Sequence, residues 1–363
     1  MSIATSRLLA PNTLRGVRKR FTVRQKLTPV FENVGVPVVS PTREYNYDTF
    51  DDTRQSAPPS RPGNPANVIN PQPVGNVQVT LPYLFYRMPL LYAHMGQFRD
   101  VGGVTLVDGR GRNYIMRQVS YAAQRQAAFR ELLYLGMLHG ELYFDEQENG
   151  LTDISTSAGE TKLDWQIPAG NKDQLDIDGT GDIIDANWLT DANADIPLHI
   201  DKMIGAIDEK TGLSLKHFRC NHTLMNAILQ NNKVKALAGT ANRVAEERVR
   251  NQNDDFVTIL SGIPYVTWHV TSGSVTSPGG TRIKYFANYK FSAHPDPSPE
   301  WFENVEGQSP QVKRLGANPE LTTGADSWEI YQHDPASVDL FNTDTFLPTM
   351  PNPNCVLFGD VKP

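Results

Sequence analysis

Residues 113–144 read NYIMRQVSYAAQRQAAFRELLYLGMLHGELYF, the one long helical pattern in a chain of 363 residues. Ile115, Val119, Ala122, Phe129, Leu133 and Met137 recur at helical spacing and line one apolar stripe. Arg117, Gln118, Gln124, Arg125 and Glu131 fall on the opposite face. No proline interrupts the pattern, and Asn113 stands where an N-cap belongs, directly after the turn-forming Gly109-Arg110-Gly111-Arg112. About 30 residues at about 1.5 Å each give a rod of roughly 45 Å. A rod of that length needs partners along it, because propensity alone stabilises little in water. Gly136 and Gly140 are expected to bend or fray its last turns.

Around this rod the composition is that of a globular chain with uneven charge. Hydrophobic residues make up 39%, and 34 basic against 40 acidic residues leave a net charge of −6. No apolar run approaches the ~18 residues of a membrane span. Leu8-Leu9-Ala10 is followed at once by Pro11 and basic residues, which does not read as a secretory leader. Two cysteines, Cys220 and Cys355, suit a reducing compartment. No acid precedes Glu32, whereas Arg7, Arg15, Arg18, Lys19, Arg20, Arg24 and Lys26 are basic. Aspartates dominate between Phe144 and Lys210. That asymmetry suits a chain that meets copies of itself or another charged surface, and the net charge argues against wholesale coating of nucleic acid.

Upstream of the rod, residues 1–40 lack a sustained period and read as an extended arm. The stretch SAPPSRPGNPANVINPQP, residues 56–73, excludes helix and ladder alike. Val77, Val79, Leu81 and Tyr83 then share a strand face, so the proline-rich segment reads as the tip of a long projecting loop between extended arms. Apolar residues at its base, including Leu84, Phe85 and Tyr86, need cover, for which a neighbouring subunit is the expected source. Downstream, Leu163, Trp165 and Ile167 alternate as a strand. A helix is expected over Pro197–Ile207 with Lys210-Thr211-Gly212 as its stop, then a strand over Leu213–Arg219 and a short helix carrying Leu224, Ile228 and Leu229. Strands over Phe256–Leu260 and Tyr265–Val270 follow, and short, interrupted strands from Ser277 to Pro348. The sum is α+β, with one dominant helix and several small sheets.

Motifs for chemistry are weak. The acidic run from Asp176 to Asp182 resembles a calcium loop, but Thr180 and Asn187 occupy its fifth and twelfth positions. His217, Cys220 and His222 have ligand-like spacing without a second pair nearby, and on a strand His217 points away from the other two. Gly109-x-Gly111 lacks the third glycine of a dinucleotide loop, and there is no phosphate-loop lysine or nucleophile elbow. No catalytic set, metal or cofactor is read from these residues.

In combination, the parts resemble the tailed-phage major capsid proteins of the lambda-like capsid protein E family. The resemblance rests on the order of the loop at Ser56–Gly63, the helix at Tyr114–Leu142, and WLTDANADIPLHIDKMIGAIDEKTGLSLKHFRCNHTLMNAILQNNKV from Trp188 to Val234. Gly262-Ile263-Pro264-Tyr265-Val266 and Phe346-Leu347-Pro348 with Cys355-Val356-Leu357-Phe358 extend it. It implies an α+β Hong Kong 97-type (HK-97-like) phage capsid fold. Residues 1–40 are then the N-terminal arm, 41–112 the extended loop, 113–183 a peripheral domain with the spine helix, 184–330 an axial domain with an insertion, and 331–363 a return to the peripheral domain.

The resemblance further implies a coat protein that assembles into pentamers and hexamers of an icosahedral shell in the host cytoplasm, enclosing double-stranded DNA that it contacts weakly and non-specifically. A scaffold, a portal and a decoration protein are the implied partners, with no membrane, cofactor or enzymatic activity. Arg18, Arg20, Arg24, Arg61, Asn64, Tyr83, Phe85 and Tyr86 are the expected subunit contacts. No lysine lies between Lys26 and Lys162, so the loop has none for covalent cross-linking. Members of the family carry sheet-closing strands past the motif at Phe358; here either further chain or the insertion Asn304–Phe346 is expected to close the sheet. Other readings are an encapsulin-like compartment, a minor virion connector or decoration protein, and a soluble hydrolase.

Overall fold

The computed structural model describes residues 27–50, 74–91, 109–146, 152–156, 159–177, 179, 181–237, 256–260, 263–315, 318–333 and 336–362. In chain order a single turn, α1 (Thr28–Phe31), precedes β1 (Val38–Ser40). Next, β2 (Glu44–Phe50) and β3 (Val74–Thr80) pair antiparallel, and β4 (Tyr83–Leu91) leads to the long helix α2 (Gly109–His139). A small sheet of β5 (Glu141–Glu146), β6 (Thr152–Ser155) and β7 (Thr161–Asp164) follows in the order β6-β5-β7. Then come β8 (Lys172–Asp173), α3 (Ile196–Thr211), β9 (His217–Cys220), α4 (His222–Gln230) and α5 (Asn232–Leu237). The chain continues through β10 (Phe256–Leu260), β11 (Ile263–Val270), β12 (Ser274–Thr276), β13 (Arg282–Lys284) and β14 (Lys290–His294). It finishes with β15 (Glu303–Leu315), β16 (Asn318–Thr323), β17 (Asp326–His333), β18 (Ala336–Thr349) and β19 (Leu357–Asp360).

Helix α2 begins earlier than its sequence suggests. Gly109–Arg112 are helical rather than a turn, so Asn113 lies inside the helix and is not its cap. It stops at His139 because Gly140 takes φ +86, a left-handed conformation open to glycine. The residues expected to extend it to Phe144 form β5 instead. At Gly136 a Cβ would lie 2.8 Å from Leu142 Cβ and 3.0 Å from the Trp165 ring, so the glycine makes room for the indole.

Val119, Ala122, Phe129, Leu133 and Met137 are buried, as the stripe requires; the side chain of Ile115 lies outside those described. From Phe129 to Leu138 every residue is buried, so this half of α2 is enclosed on all sides. Glu131, expected on the polar face, is only 2% exposed. Its carboxylate accepts the backbone N–H groups of Leu27 and Thr28, the Thr28 hydroxyl and the Tyr285 hydroxyl. A buried carboxylate is thereby satisfied, and the first amides of α1 gain the acceptor that a helix start lacks.

Two six-stranded sheets flank this helix system, beside the small sheets β2–β3, β6-β5-β7 and β12–β13. In the first, β1 runs parallel to β15, β16 pairs β15, and β18 pairs β15, β17 and β4. Of the short, interrupted strands expected between Ser277 and Pro348, β13 and β14 are short, at 3 and 5 residues, but β15 and β18 are long, at 13 and 14. The polar run Asn342-Thr343-Asp344-Thr345, which reads as a loop, is fully enclosed within β18. Helix α2 supplies the reason. Gln126 Nε2 donates to the Thr343 carbonyl at 2.6 Å, and Arg130 makes a two-pronged bond to Asp344 at 2.8 and 2.9 Å. Arg130 also reaches Glu32 at 3.0 Å and Glu306 at 2.9 Å, and its guanidinium lies 4.3 Å from the Phe346 ring centroid. Burial opposes its charge, but Asp344, Glu306 and Glu32 more than offset this and raise its pKa.

The second sheet has the order β10-β11-β9-β14-β19-β8. Its apolar face, with Phe218, Cys220, Trp268, Val270 and Phe291, packs with Ile200, Met203 and Ile207 of α3 and Leu224 and Ile228 of α4 in one core. Asp195 caps α3, and Gly212 at φ +78 ends it where the sequence places the stop. Trp165 and Ile167 are buried as expected but lie beyond β7, which ends at Asp164. The division expected at residues 330 and 331 falls inside β17, and β19 pairs β14 and β8 in the second sheet. Residues 331–363 therefore serve both sheets. Among the described residues no helix is long and apolar enough to cross a membrane.

Replacing Arg130 by Met leaves Asp344 buried without its cation, so a loss of about 3–5 kcal/mol in urea unfolding is expected. Adding Asp344→Leu to the same chain is expected to restore much of that loss.

Candidate subunit-contact surface

Strand β4 is two-faced, as its period of two dictates. Leu84 packs on the main core, while Tyr86, Met88 and Leu90 pack with Val119 and Ala122 of α2. Tyr83, Phe85 and Arg87 point the other way. Antiparallel pairing sets Phe85 opposite Thr343 and Arg87 opposite Phe341 on β18. The result is a ladder of rings: Tyr83 and Phe85 stack with centroids 5.9 Å apart, and Phe85 and Phe341 at 5.8 Å. The Arg43 guanidinium sits 5.6 Å from the Tyr83 centroid, and the Ser309 hydroxyl donates to the Tyr83 hydroxyl at 3.2 Å. Burial raises the Tyr83 pKa, against the lowering by Ser309 and Arg43. Phe85 at the middle of the ladder keeps 39% of its surface exposed.

The eight expected contact residues separate under this geometry. Tyr83 and Phe85 are brought together on the outer face. Tyr86 lies on the inner face, where its hydroxyl donates to the Ala122 carbonyl of the chain's own α2. Arg18, Arg20, Arg24, Arg61 and Asn64 lie outside the described residues. The paired arms β2 and β3 run to Phe50 opposite Val74, and residues 51–73 connect them. Phe50 at the end of this ladder is 44% exposed. Tyr47 on the same strand is buried, and burial with Asp164 nearby pushes its hydroxyl up to about 12.

Further apolar exposure lies just before and on β1, with Val36 at 91% and Val39 at 62%, and on the second body, with Leu198 and Tyr265 about half exposed. The β1 ladder ends at Ser40, which pairs with Gly307 of β15. A cleft of about 630 Å³ under the hairpin base is lined by Val79, Leu81, Phe129 and Phe144, with Arg43 and Lys162 among its polar groups. The sequence missed Phe341, whose place in the ladder depends on a pairing with β4 that no local pattern reveals.

The candidate metal motifs are dispersed. Cys220 is buried on the helix-facing side of β9, His222 starts α4, and His217 faces the opposite side of the sheet. Asp176 accepts from the Gly181 amide at 2.9 Å, closing its own loop.

No protein-family model matches the chain, and no curated protein matches it at a significant level. Solved structures do. A candidate capsid protein of a prophage from Escherichia coli CFT073 aligns with a TM-score of 0.54 over 96% of this chain and 98% of its own, at 12% identity. A phage-related protein from Bordetella bronchiseptica RB50 aligns at 0.52 over 97% and 98%, also at 12% identity. The bacteriophage PhiM1 mature capsid is a looser match, at 0.44 and 11% identity over 90% and 84%. At such identities the likeness speaks for the fold, and this chain has the Hong Kong 97-type α+β fold.

Proposed function

We propose that this chain is the major coat protein of a tailed phage or prophage, assembling into pentamers and hexamers of an icosahedral shell around double-stranded DNA. The observation that carries the reading is the full-length likeness to the E. coli prophage protein, which leaves almost none of either chain unmatched. In this reading α2 with the first sheet is the peripheral domain, and the second sheet with α3 and α4 is the axial domain. The β2–β3 arms with residues 51–73 form the extended loop, and residues 1–26 the N-terminal arm. The ring ladder Tyr83–Phe85–Phe341 and the basic side chains Arg18, Arg20, Arg24 and Arg61 are its contacts to neighbouring copies, together with Asn64. Tyr86 supports them from below through α2. The shell protein has no chemistry of its own. Scaffold, portal and decoration proteins are its partners in the host cytoplasm, and DNA is touched only weakly.

Purified protein examined by sizing and electron microscopy is expected to give capsomers or megadalton shells. A compact monomer at high concentration would sink the reading, and a ring of fixed subunit number would favour a connector. Shells that enclose protein cargo instead of DNA would favour an encapsulin-like compartment.

Phe85→Ala is expected to cost the isolated subunit about 1 kcal/mol through lost ring stacking, yet to shift sedimentation from shells to free capsomers. Tyr86→Phe is expected to cost a similar amount in unfolding, about 1 kcal/mol, while shells still form. Because arginine–carboxylate contacts between copies are screened by salt, light scattering should show assembly weakening as ionic strength rises.

A further inference from the structure

The face of the second sheet turned away from α3 is polar, and its centre at Arg219, Ser292 and His294 is buried. Pairing of β9 with β11 and β14 sets His217 beside Thr267 and His294, and Arg219 beside His269 and Ser292. Three imidazoles and a guanidinium thus share one face. Arg219 is 1% exposed and His294 is fully buried. His294 Nδ1 lies 2.7 Å from the Pro295 carbonyl, an acceptor only, so that nitrogen carries the ring proton. His294 Nε2 accepts from Arg219 Nε at 3.1 Å. Both ring nitrogens of a neutral His294 are therefore in use.

These groups lie at the seam between the two cores. The His294 ring is 5.3 Å from Phe31 and 5.7 Å from Trp301, and Phe31 stacks on Tyr134 of α2 at 5.6 Å. The Arg219 guanidinium lies 5.9 Å from the Phe31 centroid. Around the seam, β9 contributes His217 and Arg219, Lys216 precedes it, β11 contributes His269, and Asp296 follows β14. The elements packed against it present the uncharged rings of Phe31 and Trp301; Glu32, next to Phe31, is turned to Arg130. The Tyr134 hydroxyl donates to Asn304. Asp296, whose side chain is 57% exposed, is engaged by Lys216 and by His217, the latter at 2.9 Å. His217 Nδ1 lies 3.0 Å from His269 Nε2, a contact that requires one donor and one acceptor.

We propose that this seam is an acid-released latch: a proton on His294 converts its bond with Arg219 into a clash of two cations and frees the second sheet from Phe31. Each core stays folded while the two part. A second proton on the His217–His269 pair, which leaves two donors face to face, acts in the same direction. Burial, together with Arg219 and His217, holds His294 well below the ordinary histidine range, and burial also lowers His217 against the pull of Asp296. With folded-state values depressed, the seam is at full strength above about pH 6.5 and weakens as pH falls toward the lowered values. The latch stands independently of the shell reading.

Hydrogen–deuterium exchange of the full chain, stepped from neutral to acidic pH and corrected for intrinsic rates, tests it. Peptides spanning residues 27–34 and 290–296 are expected to open by up to about tenfold per pH unit for each proton taken up, while α3 keeps its protection. His294→Gln, which can still accept from Arg219 and donate to a carbonyl, is expected to flatten that dependence. Equal acid sensitivity in both chains would overturn the proposal. Opening of α3 in parallel with the seam in the natural chain would overturn it as well, and that result needs no variant to fold.

Discussion

One guanidinium holds the first body together. Arg130 projects from the enclosed half of α2 and meets carboxylates from three separate places: Glu32 after α1, Glu306 on β15 and Asp344 on β18. Coulomb attraction is strongest at the fully buried Asp344, where water is excluded, and each bond is charge-assisted. Next to it Glu131 performs the reverse task, one carboxylate gathering four donors from Leu27, Thr28 and Tyr285. Adjacent residues of opposite charge thus tie the start of the described chain, the helix and the late strands into one arrangement. Apolar packing alone would tolerate other registers; these two side chains tolerate few.

The same constraint explains what the amino-acid order revealed and what it concealed. The helix was legible because its apolar spacing is local, and so were α3 and its Gly212 stop. The extent of β18 was not, since Asn342, Thr343, Asp344 and Thr345 are loop-like residues whose enclosure depends on Gln126 and Arg130, more than 200 positions away. Glu131 misled for the same reason: a carboxylate on a helix normally marks the wet face, and here its partners are backbone amides about a hundred residues upstream. The surface followed suit. Tyr83 and Phe85 could be nominated from composition, but which side of β4 each ring takes depends on a register set by β18.

The two faces of the second sheet show a comparable division. One is apolar and packs α3 and α4 into a core of the ordinary kind. The other collects His217, His269, His294 and Arg219, from strands far apart in sequence, against the rings of Phe31 and Trp301. Along the chain only the spacing of His217, Cys220 and His222 stands out, because the larger grouping runs across the sheet.

Strand β18 also fixes when the outer face can exist. The ladder of rings needs Phe341, and among the described residues β4 finds its hydrogen-bonding partner in residues 337–345. Until the ribosome has released that stretch, β4 has an open edge and the ladder no third ring. Pairing across such a separation is slow to close. If the shell reading holds, the face proposed to meet a neighbouring copy is therefore completed only after β18 has been made, well after β4 itself.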